Sequence, residues 1–305
     1  MASDSKRISA STLIQLLSGM ALFGTATPLS KIIGQNFPIF TASFLRMAIA
    51  SLVLAPFVWA ATKRFKEAKR SDIAVIAAIA AFGMVGFTAT MLFGMRLTTG
   101  VIGSTIMSAT PAVTALAAVL FLGAAMNWRN AGALALAVAG IAAINLLHGN
   151  DGGGGNAIVL GAALVVVAVC FEAAYTLLSR RLSIGITSIE ATLAASLMAA
   201  PVFILLAWQF DPEPFAFAGA SQEAWAALIF WGAMTGGLAP VLWYRGVRKA
   251  PALLSAGAMS VMPVTSLVTS YLLLGETFQW SHLIGFGLVF LGLILMIFEH
   301  AGAQD

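Results

Sequence analysis

Residues 107–111 read MSATP, and residues 259–263 read MSVMP. Each pentapeptide sits inside a long apolar run. Proline has no backbone N–H, and its ring clashes with the preceding turn, so it breaks or kinks a helix interior. The same breaker, introduced by the same Met-Ser pair, lies 152 residues apart. At that offset the neighbours match as well: Gly94 falls on Gly246, Arg96 on Arg248, Leu122-Gly123 on Leu274-Gly275, Trp128 on Trp280 and Gly140 on Gly292. The chain is built from a repeated unit, and the repeat contains a broken helix.

The surroundings of that repeat define its medium. Of 305 residues, 60% are hydrophobic and 9% charged, against about 25% charged in an ordinary soluble domain. The reading is an all-α integral membrane protein. About 20 mostly apolar residues span a bilayer core. Ten segments meet that need: 10–32, 38–61, 72–95, 100–122, 128–147, 157–179, 186–208, 224–244, 251–274 and 280–299. Lys6 and Arg7 precede the first, but no small-residue cleavage site follows a short apolar core, so this segment is expected to be a transmembrane helix and not a cleaved leader. The links between segments are short. The longest runs from Gln209 to Glu223 and carries three acids and no base.

Basic residues set the orientation. With the N-terminus in the cytoplasm, 13 of the 16 Lys and Arg residues fall on cytoplasmic segments, Lys31 and Arg96 fall outside, and Arg46 lies within the second segment. That asymmetry places both termini in the cytoplasm. The positive net charge therefore orients the chain in a bilayer, and nucleic acid is not an expected partner. The lone Cys170 lies in an apolar run and is expected to be buried packing, with no disulfide framework.

The run NDGGGGN, residues 150–156, falls at the midpoint. Four glycines make it a flexible linker. It divides a first repeat, 10–148, from a second, 157–299, each with five spans. An odd number of spans inverts the second repeat in the membrane. The fold expected is thus ten transmembrane helices as two inverted five-helix repeats. Inverted repeats are characteristic of secondary transporters, whose solute sites lie near the midplane on interrupted helices. Pro111 and Pro263 would break spans four and nine at that depth. Freed backbone groups there must be buried in protein or face a wet cavity.

Particular residues also carry a resemblance. The stretch LLSAGAMSVMPVTSLVTSYLLLGETFQWSHLIGFGLVFLGLIL, with Pro263, Gly275-Glu276, Gly285 and Gly292, resembles the EamA domain of the drug/metabolite transporter superfamily. So do VVVAVCFEAAYTLLSRR in span six and Arg46 in FLRMAIASLVLAP. Within that superfamily the chain looks most like the YddG-type amino-acid exporters. The resemblance implies a bacterial-type inner-membrane protein that exports aromatic and other neutral amino acids by alternating access. The first repeat departs from the pattern, with Gly123-Ala124 where the second has Gly275-Glu276, and Glu172 stands where a small residue is usual.

A cavity on interrupted helices would use polar and aromatic side chains of spans one, three, four, six, eight and nine. The candidates are Phe23 and Thr27, Phe87 and Met91, Met107, Ser108 and Thr110, Tyr175, Trp243 and Tyr244, and Met259 and Ser260. Such side chains at helical spacing also serve plain packing. Ser108 and Ser260 can alternatively rebond carbonyls near the prolines. Glu172 is the deepest acid, and an intramembrane carboxylate is a functional-site candidate by default. Proton coupling is the functional reading, a protonated or hydrogen-bonded packing residue the other, and facilitated export stands beside proton antiport. Arg46 is read as a structural charge held by loop carbonyls near the outer face, in preference to a contact with a substrate carboxylate. Glu276 is read as a structural charge that caps or pairs, with Lys31 or Arg96 as partner.

Other classes of function fit poorly. No Asp falls in the interior of a span, and the histidines lie at span ends. There is no G-x-S-x-G, no H-E-x-x-H and no metal-ligand spacing, so an intramembrane enzyme is not expected. No phosphate-binding loop supports direct use of ATP, and no cofactor or metal is expected. Short links leave little surface for a scaffold. A small solute and the bilayer remain as the partners; the sequence sets no oligomeric state. On the same fold, a drug or other small-metabolite exporter is the alternative.

Overall fold

A computed structural model describes residues 9–58, 69–123, 128–147, 155–183, 186–217, 219–250 and 252–302. Most of the glycine linker, Ala124 and the bases of residues 63–66 lie outside this set. The described residues form helices joined by short turns, with no strand among them. In chain order these are α1a (Ala10–Gly24), α1b (Ala26–Asn36), α2 (Ile39–Val58), α3 (Arg70–Leu97), α4a (Gly100–Met107), α4b (Thr110–Leu122) and α5 (Trp128–Leu147). Then follow α6 (Gly155–Ser179), α7 (Ser188–Phe210), α8 (Gln222–Val247), α9a (Ala252–Met259), α9b (Val261–Leu274) and α10 (Trp280–Gly302). Seven helices are long and apolar enough to cross a membrane, and the bent pair α4a–α4b makes an eighth. α5 and α10 contain shorter apolar stretches, Ala131–Gly140 and Trp280–Gly292.

The 152-residue offset seen in the sequence recurs in the backbone. α4a ends at Met107 and α9a at Met259; Gly123 and Gly275, which close α4b and α9b, both take left-handed φ values of 67° and 62°. The offset also maps two features with no obvious sequence signature. Residues Ile79–Gly86 of α3 and Trp231–Leu238 of α8 are wound as π-helix. A π-turn widens the helix and re-aims side chains, and is often found at functional sites. Here the glycines in these turns admit a neighbour. A Cβ on Gly83 would lie 2.7 Å from Tyr175 of α6, and one on Gly237 would lie 2.6 Å from Val53 of α2.

The prolines sit just past the breaks rather than at them. Pro111 occupies the first turn of α4b, and Pro263 is the third residue of α9b. In a first turn the missing N–H has no intrahelical partner to lose. The α4a–α4b bend is 41°. Its orphaned carbonyl, Met107 O, accepts from the Thr110 hydroxyl at 2.7 Å. α1 is also interrupted, at Thr25, three residues before Pro28, a break the sequence reading did not foresee.

Close helix crossings hold the two halves of the chain together. Gly94 of α3 and Gly161 of α6 face one another: a Cβ on Gly94 would stand 2.9 Å from Gly161 O, and one on Gly161 would stand 2.8 Å from Gly94 O. α1a meets α9b at Gly24, where a Cβ would collide with Met262 O at 2.4 Å. These are small-residue contacts of the kind that drive helix association in lipid. Cys170 is exposed on the flank of α6, not buried as expected.

Buried acids tie helix ends across the halves. Asp211, at the end of α7, accepts from the N–H groups of Phe40 (3.2 Å) and Thr41 (2.8 Å), and from the Thr41 hydroxyl (2.9 Å). It neutralises orphan donors at the α2 N-terminus, where the helix dipole also favours negative charge. At the opposite end of the bundle Asp72 accepts from Ser183 N and Ser183 Oγ, both at 3.0 Å. Glu190 is 3% exposed and closes a capping box with Thr187 at the start of α7.

A cavity between two broken helices

A cavity of about 660 Å³ lies among α1, α2, α3, α4, α6, α7, α8 and α9. The two π-turns and the breaks in α1, α4 and α9 all contribute to its wall. Of the cavity residues expected from sequence, Phe23 and Thr27 line it from α1, Phe87 and Met91 from α3, and Met107, Ser108 and Thr110 from the α4 break. Tyr175, Trp243, Tyr244 and Met259 line it from α6, α8 and α9, as do Pro111 and Pro263. Ser260 is not in the wall; its hydroxyl donates to Gly257 O at 2.7 Å, a carbonyl that also accepts from Ser260 N at 3.1 Å, so it does not rebond the carbonyl freed by Pro263. Ser108 donates likewise to Ser104 O at 2.7 Å, yet it also borders the cavity.

The wall is mostly apolar, with polar groups at two levels. Near one end, the Tyr175 hydroxyl bonds the Tyr244 hydroxyl at 3.0 Å and the Thr192 hydroxyl at 3.2 Å, tying α6, α7 and α8. Deeper, Thr110 Oγ1 lies 3.0 Å from Glu172 Oε2, as well as 2.7 Å from Met107 O. A hydroxyl has one proton. Thr110 is placed to donate to either acceptor, so its one proton is shared between the Met107 carbonyl and the Glu172 carboxyl. Glu172 is the one carboxylate in the wall among the described residues.

Arg46 is placed differently from the sequence expectation. No described loop carbonyl receives it. Its Nη1 donates to the buried Thr88 hydroxyl at 2.7 Å, its guanidinium lies 4.2 Å from the ring centroid of buried Trp231, and it lines the cavity. Trp231, which sequence reasoning passed over, is fully buried beneath it.

The two ends of the cavity differ. At one, exposed Arg180 and Ser179 border the cavity, which therefore reaches that end of the bundle. Toward the other lies Glu276, outside the cavity wall. Its carboxylate accepts from the N–H groups of Gly100 and, at 2.8 Å, Val101, capping α4a from the end of α9b. Neither Lys31 nor Arg96 is its hydrogen-bond partner. Lys31 donates to Met95 O and Thr98 O; Arg96 donates to Gly34 O and Phe37 O. Below Glu276, Ser266 donates to Ser104, and Ser104 bonds Ser270 at 2.9 Å, a buried hydroxyl chain joining α4a to α9b.

Known proteins match along nearly the whole length. The sequence profile of the EamA-like transporter family fits the chain twice, over residues 10–146 and 159–298. The "Uncharacterized transporter YetK" of Bacillus subtilis (strain 168) is 28% identical over 286 residues, covering 94% of this chain and 86% of its own. The "Probable terminal-alkyne amino-acid exporter" of Streptantibioticus cattleyicolor is 25% identical over 281 residues, covering 92% and 91%. A crystal structure of a chain 18% identical covers 97% of this chain and 99% of its own, with a TM-score of 0.65; that likeness concerns the fold alone.

Proposed function

We propose, from the premise that this chain belongs to the EamA-like transporter family, that it exports neutral amino acids, aromatic ones included, across a bacterial-type inner membrane. The observation that carries the reading is the cavity of about 660 Å³ bordered by interrupted helices from both halves. Its size lies in the range that encloses a small organic solute. Its apolar wall suits an amino-acid side chain, and its hydroxyls and charges suit the polar backbone groups. The relative from Streptantibioticus cattleyicolor, named a probable terminal-alkyne amino-acid exporter, supports the same solute class.

In this reading the helices form ten spans, as two inverted repeats of residues 10–148 and 157–299. The backbone features repeated at 152 residues support it. With both termini cytoplasmic, Arg180 marks the cytoplasmic mouth and Glu276 the outer side. The structure then corresponds to an inward-open state, closed outside by Glu276 and the serine chain. Rocking of one half against the other would open the outer side and close the inner one.

Glu172 is assigned to proton coupling. Gain and loss of its proton on alternate sides of the membrane would complete a cycle, with Thr110 as its hydrogen-bond partner in this state. For one-to-one exchange, one pH unit drives a roughly tenfold solute ratio. Replacing Glu172 with Gln is expected to leave uptake into proteoliposomes indifferent to an imposed pH gradient. Retained gradient dependence would remove Glu172 as the carrier.

The solute assignment is tested by thermal unfolding of the purified protein against a panel of amino acids. A ligand at one hundred times its Kd adds about 2.7 kcal/mol, a shift of several degrees. Neutral amino acids with apolar side chains are expected to give that shift. No shift with any amino acid would contradict the solute class.

A further inference from the structure

Arg46 is a cation without an anion. Its residue is 9% exposed, its Nε is buried with no hydrogen-bond partner, and no carboxylate pairs with it among the described residues. Thr88 takes one of its five donors, and Trp231 covers one face. Burying a guanidinium is costly unless its donors find acceptors, and arginine does not shed its proton to escape. The planar fork matches a carboxylate edge-on with two hydrogen bonds. Arg46 borders the same cavity as the apolar wall.

The charge of the missing partner follows from the wall. Arg46 and the rim residue Arg180 are its cations among the described residues, and Glu172 is its acid. A dianionic group such as a phosphate monoester would want a second deep cation. A single carboxylate is matched by one. The positions of Thr88 and Trp231 hold the fork rather than compete for it: Thr88 fixes Nη1, and the indole fixes the plane by a cation–π contact.

We infer that Arg46 is the specificity-determining residue that binds the carboxylate of the transported solute, with Thr88 and Trp231 as its positioning residues. The inference rests on the amino-acid reading above and adds that the acid group, not the side chain, is what the site cannot do without. Of the two readings the sequence leaves for Arg46, it takes the contact with a substrate carboxylate.

The test is isothermal titration of wild type, R46K and R46Q with phenylalanine, phenylalaninamide and 2-phenylethylamine. Wild type is expected to bind the acid about a hundredfold more tightly than the amide or the amine, the scale of charge-assisted hydrogen bonds. R46Q is expected to lose that preference. R46K, which keeps the charge but not the fork, is expected to lose about tenfold for the acid and nothing for the amide. Should R46Q fail to fold, this selective loss in R46K decides the matter. Wild type binding acid and amide alike, or R46K weakening both equally, would overturn the role of Arg46 while leaving a transporter of amino-acid-like solutes. Wild type binding the amine but not the acid would overturn the carboxylate anchor and the amino-acid reading together.

Discussion

Replacing Glu276 with alanine is expected to open the outer side of the cavity. The carboxylate makes two charge-assisted contacts to the N-terminus of α4a, one to Gly100 N and one to Val101 N. Ile102 N is covered separately by the Thr99 hydroxyl at 3.2 Å. Removing Glu276 therefore strips the first two donors of α4a of partners while leaving the rest of the cap intact. Hydrogen bonds to a charged group contribute about 1.5–3 kcal/mol each, and the helix dipole adds a smaller favourable amount. A loss of about 3 kcal/mol shifts a two-state equilibrium by about a hundredfold. The measurement is modification of a cysteine at Met107, in the cavity wall, by a membrane-impermeant thiol reagent applied from the outer side. The background carries Cys170→Ser, since Cys170 is exposed. Labelling is expected to be slow with Glu276 present and at least tenfold faster without it. Equal rates would mean that Glu276 caps α4a locally and does not hold the outer side shut.

The asymmetry of this closure has a sequence origin. Residue 276 corresponds to residue 124 at the repeat offset, and residue 124 is alanine. The second half can therefore latch α4a with an acid, but the first half has no equivalent acid for the start of α9a. On the proposed orientation, such a sequence would favour the inward-open arrangement.

The second large effect concerns the crossing of α3 and α6. At Gly94 and Gly161 each backbone lies where the other's Cβ would be. Backbone is an obstacle on both sides, Gly161 O at one and Gly94 O at the other, and it cannot give way as a flexible side-chain end can. Gly161→Leu is expected to force the helices apart and to abolish the folded protein, seen as loss of the monodisperse peak after detergent extraction. Gly161→Ala is expected to cost about 1–3 kcal/mol, in the range of overpacked cores. The crossing joins the two halves and lies away from the cavity wall, so the loss would be one of assembly. A Gly161→Leu protein that extracts and transports as wild type would refute this packing.

Much of the architecture was legible in the chain. The offset that aligns Pro111 with Pro263 also aligns the ends of α4a and α9a and the left-handed Gly123 and Gly275, because proline and glycine act on the backbone directly. Of the residues expected in a cavity, all but Ser260 border the one in the structure; whether they hold solute is a matter for the tests proposed. Three features were not legible. The π-turns at Ile79–Gly86 and Trp231–Leu238 carry glycines, but glycines also mark ordinary close packing, and only the backbone tells the two apart. Pro28 was in plain sight, yet its repeat counterpart is not a proline, so pairing gave no signal. Arg46 was misplaced because position within a span gives depth, not direction. Its face of α2 is set by Thr88 and Trp231, which lie 42 and 185 residues away in the chain.

The most direct test of the account is solute counterflow. Purified protein is reconstituted into liposomes loaded with an unlabelled neutral amino acid, and the labelled form is added outside at trace concentration. The account predicts transient accumulation of label well above that in protein-free vesicles, for several neutral amino acids, and none for their amides. Absence of counterflow for every amino acid tried would contradict it, and would leave the cavity to a drug or another small metabolite.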